Sequence, residues 1–150
     1  MEFQTLSNDD LYKIMVQARV DYKKKFPLPE PVKEEVRRRA KQDLFFLAKY
    51  FIGFGGEINH LIMESTHRRV CDLFVKKDAS KEIGEQDDRK ERLLLYPRGS
   101  FKSTIDNADT VQWVLNFPDI RILFLTAADD LAVSFLDEAK KQFVINLEDL

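Results

Sequence analysis

With 150 residues, of which 44% are apolar and 33% charged, the chain has the material for one compact domain with its own core. Its net charge of −2 excludes nucleic-acid binding driven by bulk positive charge. No apolar run approaches the roughly 18–20 residues that a membrane span needs, residues 1–10 lack the apolar stretch of a signal peptide, and a lone cysteine, Cys71, excludes an internal disulfide framework or a cysteine-based zinc site and fits a reducing compartment.

In chain order, Ser7 is placed to cap a helix on which Leu11, Ile14, Met15, Ala18 and Tyr22 recur at helical spacing. Pro27-Leu28-Pro29-Glu30-Pro31 breaks it, and Pro31 is placed to start the next. Val36, Ala40, Leu44, Leu47 and Phe51 form the apolar stripe of that second helix, which Gly53, Gly55 and Gly56 stop. A third helix is expected over about residues 61–77, with Val70, Cys71 and Phe74 inward. Residues 78–90 carry both charge signs and Gly84, and read as an exposed loop. The basic run Arg37-Arg38-Arg39 reads as a solvated helix face, with a DNA or partner contact as the alternative.

Beyond residue 91 the pattern changes. Arg92-Leu93-Leu94-Leu95-Tyr96 reads as a buried strand, residues 97–101 as a loop, and residues 103–116 as a helix with Ile105, Ala108, Val111 and Leu115 on one face. Phe117-Pro118-Asp119 ends it, residues 120–126 read as a second buried strand, and Asp129 as the cap of a helix carrying Ala132, Phe135, Leu136, Ala139 and Phe143. This strand–helix alternation predicts a parallel sheet with covering helices.

The chemistry is concentrated at residues 96–104, Tyr96-Pro97-Arg98-Gly99-Ser100-Phe101-Lys102-Ser103-Thr104. A nucleoside triphosphate asks such a loop for inward backbone N–H groups, a lysine for the β- and γ-phosphates and a hydroxyl for Mg²⁺. Lys102 and Ser103 stand where the lysine and the hydroxyl are needed, at the start of a helix whose N-terminus adds free N–H donors and partial positive charge. The general pattern has glycine six residues and one residue before the lysine; here those positions are Tyr96 and Phe101, and Gly99 is the loop's single glycine. Phe101 therefore carries a Cβ where glycine is normally free. An ordinary strand–turn–helix start is the competing reading. His60 and His67 are seven apart, about 10 Å on a helix by rise, so they define no shared metal site.

The loop resembles the variant Walker A of phage terminase large subunits, where Pro-Arg-Gly or Pro-Arg-Asp is followed by two variable residues and Lys-Ser or Lys-Thr. The likeness extends to Asp43-Leu44-Phe45-Phe46-Leu47-Ala48-Lys49-Tyr50, to the segment from Thr66 to Phe74 around His67, to the passage from Val111 to Ile122, and to the helix from Ala132 to Phe143. It implies an N-terminal helical region at residues 1–57 and an incomplete P-loop ATPase domain of the additional-strand, RecA-like α/β class at residues 58–150, carrying the Walker A side only. It also implies ATP and Mg²⁺ as cofactors, double-stranded DNA, a portal protein and a small terminase subunit as partners, a homo-oligomeric ring, no membrane, and a virus- or prophage-encoded protein in the host cytoplasm. By the same resemblance the ATP-binding residues are Arg98, Gly99, Ser100, Phe101, Lys102, Ser103, Thr104 and His67. Lys102 would hold the β/γ-phosphates, Ser103 would ligate Mg²⁺, Arg98 would approach the γ-phosphate or a neighbouring subunit, and His67 would lie near the adenine.

A motor ATPase also needs a strand ending in Asp-Glu, for Mg²⁺ and for the attacking water. Val144-Ile145-Asn146-Leu147-Glu148-Asp149 follows the preceding helix too closely to be that strand. No catalytic residue is assigned, and the chain by itself is expected to hydrolyse no ATP. Another DNA-stimulated motor, such as a helicase, and a nonenzymatic nucleotide-binding or interaction fragment remain as alternatives.

Overall fold

A computed structural model describes residues 6–22, 29–54, 61–86 and 92–143. These residues form helices α1 (Asn8–Tyr22), α2 (Glu30–Gln42), α3 (Leu44–Phe46, continued by a π turn over Leu47–Phe51), α4 (Glu64–Cys71), α5 (Lys102–Asn116) and α6 (Asp129–Gln142), with a short 3-10 turn at Ile83–Glu85. The N-terminal signals act as expected. The Ser7 hydroxyl accepts the Asp10 N–H at 3.1 Å and itself donates to the Asp10 carboxylate at 2.6 Å, which satisfies an end N–H of α1. Pro31 sits in the first turn of α2, where its missing N–H costs nothing. Leu11 and Met15 are buried and Ile14 is half-buried; the side chains of Ala18 and Tyr22 lie outside the described residues.

The stripe Val36, Ala40, Leu44, Leu47 and Phe51 is buried throughout, but on two elements rather than one helix. Asp43 adopts an extended conformation between α2 and α3, where its carboxylate accepts the Phe46 N–H at 3.1 Å and the Arg68 guanidinium at 2.6 and 2.8 Å. An aspartate competes with the helix for its own backbone and is favoured at such a cap. The long-range Arg68 pair adds to that preference, so the chain bends here. The third helix is shorter than the periodicity predicts, ending at Cys71. Asp129 is the first residue of α6 rather than its cap.

The predicted parallel sheet is not formed: among the described residues there is no β-strand, and the P-loop sheet architecture expected from the alternation is overturned. Residues 92–96 and 120–126 run without regular structure, and Leu93, Leu95, Leu123 and Leu125 are 80–85% exposed. Apolar runs become strands only when main-chain partners and a covering layer are both present. Here neither segment pairs with the other, so alternate side chains face water while Leu94 and Tyr96 pack on the core.

That core joins α1, α2, α3, α4, α5 and α6, with Phe45, Phe46, Leu47, Ile105 and Val111 fully buried. It draws on both of the regions expected at 1–57 and 58–150. Across it, the Gln112 amide donates to the Ala40 carbonyl at 2.9 Å and Asn116 to the Lys41 carbonyl at 3.1 Å, so α5 covers the carbonyls at the end of α2.

The arginine run of α2 is part-exposed at Arg37 and Arg38, as a solvated face would be, and covered at Arg39, and all three residues are ion-paired. Arg37 pairs with Glu30 at 3.1 Å, Arg38 grips both oxygens of Glu35 at 2.8 Å, and Arg39 reaches Glu35 at 2.6 Å and then Asn8 and the Leu6 carbonyl on the approach to α1. The Arg38 guanidinium, assisted by Arg39, holds the Glu35 carboxyl down at about 2 against the opposing effect of burial. A depressed carboxyl contributes stability that is fully present above its unfolded value and is lost as pH falls through the folded one. Acid titration of the fold should therefore show a loss on the order of 2 kcal/mol between roughly pH 5 and 2, moderated because Arg38 is itself 48% exposed. Glu35→Gln should remove that component, as read by urea unfolding at pH 7 and pH 3.

Candidate functional site

Residues 97–101 form a tight turn that feeds directly into α5 at Lys102. Two residues in it occupy the left-handed region, Gly99 with φ +75° and Phe101 with φ +56°. A Cβ on Gly99 would meet open space, so glycine is required there for backbone freedom and not for room. Phe101 is the single described non-glycine residue with positive φ. The left-handed form costs a non-glycine residue roughly 1–2 kcal/mol, and it is the backbone state that the glycine of the general motif would supply. The Phe101 ring meets the His67 ring edge-on at 5.9 Å. His67 is buried, 3% exposed, and its Nδ1 accepts the Met63 N–H at 2.9 Å. Packing from α4 thus helps to hold the strained residue.

The left-handed Phe101 followed by helical Lys102 turns successive N–H groups toward one side, the backbone concavity that favours anions. The first helical hydrogen bond of α5 runs from the Ile105 N–H to the Phe101 carbonyl at 2.9 Å, so the N–H groups of Lys102, Ser103 and Thr104 precede the ladder. No acidic residue occupies the first turn of α5, unlike α1 and α6, and the positive end of its dipole is left uncancelled. The Lys102 ammonium folds back over the loop and donates to the Tyr96 carbonyl at 2.8 Å. The Ser100 hydroxyl closes the turn onto the Pro97 carbonyl at 2.5 Å. Arg98 and Ser103 are exposed, and Thr104 is half-buried.

Lys102 and Ser103 open onto a cavity of about 440 Å³, whose polar wall also includes Asp106 and Arg92 and whose apolar wall includes Phe74 and Leu94. This lies within the range of small-molecule sites. Asp106 is open to solvent at the cavity mouth, yet the surrounding protein atoms push its carboxyl above the usual range. The structure therefore gathers residues 97–104 at one place with His67 beneath them. It adds Asp106 and Arg92, which the motif did not single out, although Asp106 stands one helical turn after Ser103 and on its face.

A phosphate group fits this donor set: a left-handed cradle open above Gly99, helix-end N–H groups, a lysine and a hydroxyl. No three His, Cys, Asp or Glu side chains among the described residues gather to hold a metal by themselves. No helix among those residues is long and apolar enough to cross a membrane. No family model, curated protein or solved structure matches the chain.

The strain at Phe101 makes a graded series. Phe101→Gly should keep the loop and bind anions within about threefold of the parent, because glycine takes positive φ freely. Phe101→Val should unfold the turn, since a β-branched residue at positive φ is a genuine outlier. Thermal melts together with pyrophosphate or nucleotide titration read both effects.

Proposed function

We propose that the chain is a nucleotide-binding element, the ATP-binding front part of a phage DNA-packaging motor of the terminase large-subunit kind. The observation that supports this most is the loop itself: left-handed Gly99 and Phe101 deliver Lys102 and Ser103 to the start of α5, beside a cavity of suitable size. That reading rests on the local geometry of the loop and on the resemblance of residues 96–104; the sheet that the resemblance also implied is not formed among the described residues. Lys102 binds the terminal phosphates, the N–H groups of residues 102–104 bind phosphate oxygens, and Ser103 offers its hydroxyl to the accompanying Mg²⁺. The cation, when bound, neutralises phosphate charge. Arg98, exposed on the same turn, is available to a phosphate or to a neighbouring subunit. Assembly on a portal ring with small-subunit and DNA partners belongs to the same proposal.

The test is titration of the chain with a fluorescent ATP analogue, comparing the parent with Lys102→Ala. Binding that is unchanged by the substitution rejects the phosphate-loop assignment.

A further inference from the structure

The cavity beside the loop contains a carboxylate that the lysine and the hydroxyl do not explain. Asp106 lies three residues after Ser103 on α5, which places the two side chains on one helix face about one turn apart. Both line the same cavity as Lys102. One turn further along, Asp109 is neutralised by the buried ammonium of Lys77. The Asp106 carboxylate, by contrast, has no hydrogen-bond or ion-pair partner among the described residues; its backbone carbonyl accepts the Thr110 hydroxyl at 3.2 Å.

A carboxylate on the wall of a phosphate site repels the ligand; Lys102 and Arg92 on the same wall offset part of that repulsion, and a divalent cation between carboxylate and phosphate would offset more. Oxygen donors from a hydroxyl and a carboxylate suit a hard divalent ion, which commonly keeps several waters and takes its remaining ligands from phosphate. Since the described residues hold no complete protein metal site, such an ion would arrive with the nucleotide.

We propose that Asp106 is a metal-positioning residue of the nucleotide site, which together with the Ser103 hydroxyl holds the divalent cation that accompanies the phosphates. The proposal rests on the nucleotide reading above. It gives the site a preference for the Mg²⁺–nucleotide complex over the free nucleotide.

The experiment is equilibrium binding of a fluorescent ATP analogue to the full chain, once in excess EDTA and once in Mg²⁺, for the parent, Asp106→Asn, Asp106→Glu and Lys102→Ala. The parent should bind about tenfold more tightly with Mg²⁺. Asp106→Asn should bind as well or better in EDTA, because a like charge is gone, and should lose most of the Mg²⁺ enhancement. Asp106→Glu should recover part of it, which a merely structural asparagine defect would not predict. Far-ultraviolet dichroism of each variant establishes that α5 is intact. Full Mg²⁺ enhancement in Asp106→Asn, or tighter binding by that variant in both conditions, overturns the metal role while leaving a Lys102-dependent nucleotide site standing. Absence of Lys102-dependent binding in the parent overturns the nucleotide reading and this proposal with it.

Discussion

Replacing Lys102 by alanine should weaken nucleotide binding about 10- to 100-fold while leaving the melting temperature nearly unchanged. The size follows from the charge-assisted contacts that an ammonium makes with phosphate, about 1.5–3 kcal/mol for a hydrogen bond to a charged group, at tenfold in affinity per 1.4 kcal/mol. The small effect on stability follows from its free-state partner. Lys102 donates to the Tyr96 carbonyl at 2.8 Å, a half-buried contact that water replaces at little cost. Lys102→Arg is not conservative here, because the planar fork cannot follow the ammonium into a turn this tight. It should bind nearly as weakly as alanine. Calorimetric titration gives the affinities, and a thermal melt of the same samples separates a lost ligand from a lost fold.

The second large effect is on stability. The Lys77 side chain is 0% exposed and pairs with the Asp109 carboxylate, itself 12% exposed, while the ammonium lies 5.0 Å from the centre of the Trp113 ring. Burial pushes each partner toward its neutral form, lowering Lys77 and raising Asp109, and each partner's charge opposes the shift in the other. The pair is costly to bury and more costly to break. Asp109→Ala strands an ammonium in the interior and should destabilise the fold by about 3–5 kcal/mol, a drop of roughly 10 °C in Tm for a chain of this size. The double substitution Lys77→Met with Asp109→Leu removes both charges and should recover to within about 2 kcal/mol of the parent. Urea unfolding of the two singles and the double closes the cycle. A double variant as unstable as Asp109→Ala would mean that shape, and not the unpaired charge, dominates at this position.

The features read correctly from sequence are those that depend on near neighbours. Ser7 caps α1 through a residue three positions away. Pro31 marks the start of α2. Ile105, Ala108 and Val111 form one buried face of α5 because helical spacing puts them there. The turn at residues 97–101 followed by a helix belongs to the same group, since Gly99 and the residues that open α5 are adjacent in the chain. The misreadings share the opposite character. The apolar runs at 92–96 and 120–126 carry a local strand signal, but a strand is completed by partners elsewhere, and the described residues provide none. The continuous stripe from Val36 to Phe51 hides the bend at Asp43, which depends on Arg68, 25 residues away. The arginines at 37 and 38 keep the part-exposed face that the sequence suggests, with partners on their own helix, whereas the reach of Arg39 to Asn8 and Leu6 exists only after folding.

Periodicity and adjacent side chains therefore fix most of the helical faces around the core, the Ser7 cap of α1, the Pro31 start of α2 and the turn that opens α5. Tertiary structure alone decided three things. It left the expected sheet unformed among the described residues, because backbone pairing is non-local. It set Phe101 in a left-handed conformation, with His67 of α4 packed against its ring. It also left Asp106 unpaired beside Ser103 while joining Asp109 to Lys77, 32 residues away. The physical reason is the same in each case: burial and electrostatics act between atoms that are close in space, and closeness across the chain exists only once the helices have packed.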